Sequence, residues 1–140
     1  MAALIRNLEV YAGADFQRSE GFFNPDPSGF GNPLNLVPYN FTNFNARLNI
    51  RLGPDDTTQL VAALVNPTNL AFVIVSVSPG PTTPTNPNGI QITIPKALSL
   101  SWQSTYPRGF TGNYWLFADN LGSGTSQLMM SGPFILVPTG

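Results

Sequence analysis

The sequence predicts an all-β protein, and three observations support this fold class. Thirteen glycines and fourteen prolines punctuate the 140 residues, and their spacing would break any long helix. Between them lie short segments in which apolar and polar residues alternate, a pattern typical of strands with one buried face. The length suits one domain with one core. We therefore expect a single antiparallel β-sandwich domain spanning residues 1–140.

The first part of the chain predicts strands on either side of a loop. Residues 4–23 predict one interrupted strand or two short ones. The sequence NPDPSGFGNP at 24–33 contains three prolines and two glycines, which predict a loop. Residues 39–52 predict the clearest strand. Because its apolar phase changes near Thr42 and Asn43, we expect a β-bulge there.

Two apolar segments follow, QLVAALV at 59–65 and LAFVIV at 70–75. Both are apolar enough for strands that are buried on both faces or lie deep in a sandwich, and the turn sequence NPTN separates them. The first segment could instead form a helical turn. Residues 79–89 are rich in proline and predict an exposed connection.

The last third of the chain predicts a strand, a crossover and a hairpin. IQITIP at 90–95 alternates, so its three isoleucines are expected to face inward. KALSLSW at 96–102 predicts one helical turn or an irregular crossover. NYWLFADN at 113–120 and SQLMMSGPFILVP at 126–138 flank the turn sequence LGSG and predict a terminal hairpin.

The composition excludes several classes of function. The chain has no cysteine and no histidine, which removes the thiolate nucleophile, the usual general base and the usual zinc ligand. Six basic and seven acidic residues give a net charge of −1, so binding to nucleic acid through phosphates is not expected. Arg47 and Arg51 share a strand phase with Asn45 and Asn49, and we interpret this phase as a solvated polar face.

No segment of the sequence is long and apolar enough for a membrane span. The longest apolar run, at 70–75, is far shorter than the roughly 18 residues that a bilayer requires. Arg6 and Glu9 interrupt the start of the chain where a signal peptide needs its apolar region. We expect the protein to stay in the cytoplasm where it is made.

The remaining reactive groups do not form a recognisable catalytic site. Asp55 and Asp56 are adjacent in a turn-like sequence, whereas a hydrolase site needs two carboxylates that converge from separate elements. The sequence GSGTS at 122–126 lacks the pattern of a nucleophile elbow and has no histidine partner. Lys96 has no partner motif. We expect neither enzymatic activity nor a cofactor or metal site.

Aromatic residues offer the best candidates for contact with a partner. Most of the ten Phe, four Tyr and two Trp residues are expected in the core, including Trp115 and Phe117. Phe22, Phe23 and Phe30 lie in or beside the proline-rich loop, where no regular core position is evident. Exposed loop aromatics are frequent contact residues. We therefore predict that these three rings contact a partner protein.

Several short sequences together carry a family resemblance across most of the chain. They are GADF at 13–16, GNPLNLVPYNF at 31–41, the Arg-containing strand at 44–51, NGIQITIP at 88–95, GNYWLFAD at 112–119 and LMMSGPFILVP at 128–138. In this order they resemble the small immunoglobulin-like β-sandwich module of tail, baseplate and fibre-associated proteins of tailed phages.

The resemblance implies a non-enzymatic phage virion structural protein that docks or adapts parts of a tail, neck, baseplate or fibre. It also implies an immunoglobulin-like sandwich, synthesis in the host cytoplasm, and other virion proteins as partners in a multimeric assembly, without nucleic acid or membrane. Two alternatives remain open. One is a capsid decoration protein of similar fold, and the other is a carbohydrate-binding module that holds host glycans with Trp, Tyr and Asn side chains on an exposed sheet face.

Overall fold

A computed structural model describes residues 3–24, 37–55, 57–75 and 85–139. In these ranges the chain forms eleven strands and one helix. They are β1 (Leu4–Ile5), β2 (Leu8–Tyr11), β3 (Phe16–Gly21), β4 (Phe23–Asn24), β5 (Val37–Pro38), β6 (Phe44–Arg51), β7 (Leu60–Val65), β8 (Leu70–Val73), β9 (Gly89–Ile94), α1 (Lys96–Thr105), β10 (Phe110–Asn120) and β11 (Ser126–Val137).

The strands form two main sheets. The larger sheet has the order β1-β11-β10-β6-β7, and β2 also pairs with β11. The smaller sheet has the order β3-β9-β8, and β4 pairs with β5 in a separate two-stranded sheet. All pairs are antiparallel except those of β1 and β2 with β11, which are parallel. The predicted all-β sandwich is confirmed.

Alternation along the strands fills one core from both sheets, because successive side chains point to opposite faces. Ile90, Ile92 and Ile94 of β9 are at most 1% exposed, as their spacing predicts. From the larger sheet, Leu48 and Tyr114 belong to the same core cluster and are also fully buried. The predicted terminal hairpin is formed by β10 and β11.

The helix α1 is longer than the single turn that the sequence suggested. Pro95 precedes it with a φ of −64°, and a proline here costs no helical hydrogen bond. The backbone N–H of Lys96 donates to Asp15 Oδ1 at 2.9 Å, so a distant carboxylate caps the first turn. Trp102 then packs edge-on against Phe134, with ring centroids 5.8 Å apart. Capping and core contact together explain why the segment is helical.

Two local predictions are wrong. The phase change before β6 is produced by a turn and not by a bulge, because Asn43 has a φ of 64° and the N–H of Phe44 donates to Phe41 O at 3.2 Å. The segment QLVAALV forms strand β7, as predicted, and not a helical turn, but this strand is not buried on both faces, because Leu60 and Val65 are 45% and 47% exposed. The loop expected at 24–33 lies outside the described residues apart from Asn24, and the connection expected at 79–89 lies outside them as far as residue 84.

The two N-terminal strands are fastened to the C-terminal strand at Arg6. The N–H of Arg6 donates to Ser131 O at 3.0 Å, and the buried hydroxyl of Tyr114 donates to Arg6 O at 2.8 Å. Gly132 lies against the same carbonyl: a Cβ on Gly132 would sit 2.2 Å from Arg6 O. The guanidinium of Arg6 also pairs with Glu20 at 3.3 Å, which links this crossing to β3.

Candidate functional site

The outer face of the larger sheet carries two facing rows of polar and aromatic side chains. Cross-strand neighbours on β6 and β10 are Asn45 with Asp119, Arg47 with Phe117, Asn49 with Trp115, and Arg51 with Asn113. The alternate residues of both strands are buried in the core. The sequence therefore correctly placed the two arginines and the two asparagines on one face, opposite the core.

These two rows and the loop after β6 form an open concavity of about 480 Å³. Its lining residues are Arg47, Asn49, Arg51, Pro54, Asp55, Trp115 and Phe117. The sheet supplies the floor, and the loop that begins at Gly53 supplies one wall. The prediction of a merely solvated polar face is incomplete, because two aromatic rings contribute to the same surface.

Arg47 is held in place from two sides. Its Nε donates to Asp119 Oδ2 at 3.0 Å, and its guanidinium carbon lies 4.2 Å from the centroid of the Phe117 ring. Ser126 Oγ donates to the other carboxylate oxygen of Asp119 at 2.6 Å. Both charged side chains are partly exposed, so the ion pair itself contributes little to stability. Its effect is to fix the planar guanidinium over the Phe117 ring.

Arg51 and Asn113 hold the wall of the concavity against its floor. Arg51 Nη1 donates to Thr58 O at 2.8 Å, and Asn113 Nδ2 donates to Gly53 O at 3.0 Å. Both acceptors are backbone carbonyls of the loop between β6 and β7. The loop is therefore tied to the sheet at two points before any ligand arrives.

Asp55, the carboxylate in this wall, is poorly suited to proton transfer. A hydrogen bond from the Thr57 hydroxyl lowers the pKa of Asp55 from its ordinary value, and the backbone N–H of Thr57 contributes to the same shift. A general acid or base needs a pKa near the operating pH, and this change moves the pKa further from neutrality. Asp56 lies outside the described residues.

The concavity is suited to binding. Among the lining residues that the structure describes, Asp55 is the one carboxylate, and the described ranges contain no cluster of acidic residues that could hold a metal ion. The lining instead combines an indole, a phenyl ring, two guanidinium groups and an amide. Aromatic and arginine side chains are the types that dominate the energy of protein interfaces.

Two of the predicted partner contacts, Phe22 and Phe23, do not line this concavity. Phe22 is 0% exposed, and its ring packs edge-on against Tyr39 and Phe41 at centroid distances of 6.5 and 5.9 Å. The prediction that Phe22 lacks a core position is therefore wrong. Phe23 is partly buried in β4, where it pairs with Pro38. Phe30 lies outside the described residues.

The sequence predicts that Trp115 and Phe117 pack in the core, whereas both line the concavity. A signal was present, because Asn113 and Asp119 occupy the same strand phase and mark it as the solvent-facing one. The sequence does not predict that the arginines of β6 lie opposite these rings, since pairing between β6 and β10 joins residues more than sixty positions apart.

Comparison with protein-family models and with curated proteins finds no match for this chain. In the portion of the chain that the structure describes, no helix has both the length and the apolar character needed to cross a bilayer.

Proposed function

We propose that this protein is a non-enzymatic structural module of a phage virion that docks a neighbouring protein of the tail, neck, baseplate or fibre. The resemblance of its sequence motifs supports the virion role. One structural observation carries the docking role: Trp115, Phe117 and Arg47 lie side by side in an open concavity on the outer face of the larger sheet.

The side chains of this surface are already held in place, which favours docking. Association has an entropic cost for each long side chain that becomes immobile in the interface. Arg47 is already held by Asp119 and by the Phe117 ring, and Arg51 already holds the adjacent loop. A partner that stacks on Trp115 would therefore contact a largely preorganised surface. The energy of such a contact concentrates in a few residues, and tryptophan and arginine are enriched among them.

The variant Trp115→Ser tests this function. The indole is partly buried on the outer face and contributes nothing to the buried core cluster, so we expect the variant to fold. We expect it to be lost from particles that incorporate the parent chain, as measured by mass spectrometry of purified virions. Leu121→Ser is the matched control, since Leu121 is 62% exposed on the β10–β11 turn. Incorporation of Trp115→Ser at the level of the parent would contradict the proposal.

A carbohydrate-binding role is the second candidate, and the same concavity favours it. Trp115 faces Asn49 across β6 and β10 and lines the concavity together with Arg47, and ligand sites typically combine an apolar platform with a few polar groups. Glycan-array binding by the isolated chain that disappears in Trp115→Ser would favour this role. A capsid decoration role would instead be indicated by co-purification of the chain with capsids and not with tails.

A further inference from the structure

The strand β7 is one edge of the larger sheet, and little in it opposes pairing with a further strand. β7 pairs with β6 and with no second strand in the described ranges. Its sequence, LVAALV, contains neither charge nor proline, and Leu60 and Val65 are 45% and 47% exposed. Edge strands usually carry lysine, proline or a bulge that prevents association. Here a register shift opposite Ile50 and Arg51 affects only the start of the strand.

The backbone of β7 offers unused hydrogen-bonding groups along this edge. Asn66 N–H donates to Ala46 O of the neighbouring strand at 3.3 Å. Since peptide groups alternate along a strand, those of Ala63 and Val65 point away from β6. The carbonyl of Val65 accepts a bond from Asn69 N–H at 2.9 Å. Within the described ranges, the backbone N–H and C=O of Ala63 and the N–H of Val65 have no hydrogen-bond partner.

We propose that β7 pairs antiparallel with β7 of a second copy of this chain, about a two-fold axis at Ala63. Val61 and Val65 flank this residue at equal distance, so a two-fold axis at Ala63 places valine opposite valine. A two-fold contact requires a surface that complements itself. In this register Ala63 faces Ala63 of the second copy, and each Val61 faces a Val65.

The pairing gives hydrogen-bond partners to the open backbone groups of β7, and it brings no like charges together because the strand has none. It also joins the two larger sheets into one continuous sheet. Leu60 and Val65 also lose part of their exposure to water. A contact confined to one strand and its neighbours is small, so the dimer is weak in free solution. The inference does not depend on the proposed virion role.

Charge-swap variants at Ala63 test both the pairing and its symmetry. Sedimentation equilibrium of the parent chain, from about 10 µM to about 1 mM, should show its average mass rising toward that of a dimer. Ala63→Lys and Ala63→Glu should each weaken self-association by roughly fivefold, because the introduced charges face one another across the axis. An equimolar mixture of the two variants should restore association. Leu121→Lys is the matched control and should associate like the parent.

Three results would overturn the proposal: a parent chain that stays monomeric throughout, an Ala63→Lys variant that associates like the parent, or a mixture that fails to restore association. The first result together with protection of β7 amides in assembled particles would assign the edge to a strand of a different protein. Hydrogen exchange needs no variant and remains decisive if Ala63→Lys does not fold. The amides of Ala63 and Val65 should exchange more slowly as the parent concentration rises, and unchanged rates refute the pairing.

Discussion

Replacing Phe22 by alanine should strongly destabilise the protein, although its sequence neighbourhood suggests a loop. The ring is 0% exposed and makes edge-on contacts with Tyr39 and Phe41. Loss of a buried phenyl group removes roughly 2–3 kcal/mol of transfer free energy, and each aromatic pair adds about 0.5–1.5 kcal/mol. The sum agrees with the roughly 3–5 kcal/mol found for Phe→Ala substitutions in cores.

Urea unfolding followed by circular dichroism measures this loss. With a slope of about 2 kcal/mol per molar urea, the midpoint should fall by about 2 M relative to the parent chain. Leu121→Ala is the control, because a 62% exposed turn residue should change the stability by no more than about 0.5 kcal/mol. A Phe22→Ala midpoint within about 0.3 M of the parent would show that the ring is not part of the core.

The remaining predictions concern the crossing of the N-terminal strands at Arg6. Tyr114→Phe removes the 2.8 Å hydrogen bond to Arg6 O and should lower the unfolding free energy by about 1–2 kcal/mol in a urea titration. Burial raises the pKa of Tyr114 above its ordinary value of 10.0, so the folded state favours the neutral phenol. The contribution of this neutral phenol to the unfolding free energy is complete below about pH 10 and is lost as the pH rises further. Stability measured against pH should therefore fall above pH 10 more steeply for the parent than for Tyr114→Phe, and equal slopes would contradict the assignment. Gly132→Ala would place a methyl group 2.2 Å from Arg6 O at a φ of 153° and should cost about 2 kcal/mol or more, visible as faster hydrogen exchange in β1 and β2; unchanged exchange would mean that the crossing adjusts without strain.

Periodicity in the sequence was sufficient for the strands whose pairing is local or whose alternation is regular. The isoleucines of β9 and the β10–β11 hairpin follow directly from alternation and turn chemistry. The shared face of Arg47 and Arg51 follows from the same rule. These features depend only on the two-residue period of a strand, so one sequence is enough to predict them.

Features that depend on contacts between residues far apart in the sequence could not be predicted from local patterns. Phe22 is buried because Tyr39 and Phe41 surround its ring. Its backbone N–H donates a hydrogen bond to Asn88 O, and its carbonyl accepts one from Tyr39 N–H. The helix α1 depends on a cap from Asp15, a residue more than eighty positions away. Neither contact leaves a local pattern in the sequence. The concavity likewise exists only after β6 and β10 pair.

The parallel pairing of β1 and β2 with β11 has a mechanical consequence. Leu4 lies beside Met130 and Tyr11 beside Val137, so the first and last strands of the described residues run side by side in the same direction. Tension applied to the chain ahead of Leu4 and beyond Val137 pulls these strands in opposite directions along their length. The hydrogen bonds between them are then loaded simultaneously in shear and do not break one after another. Because forced unfolding is governed by the rate of rupture, this arrangement should slow extension of the domain under tension.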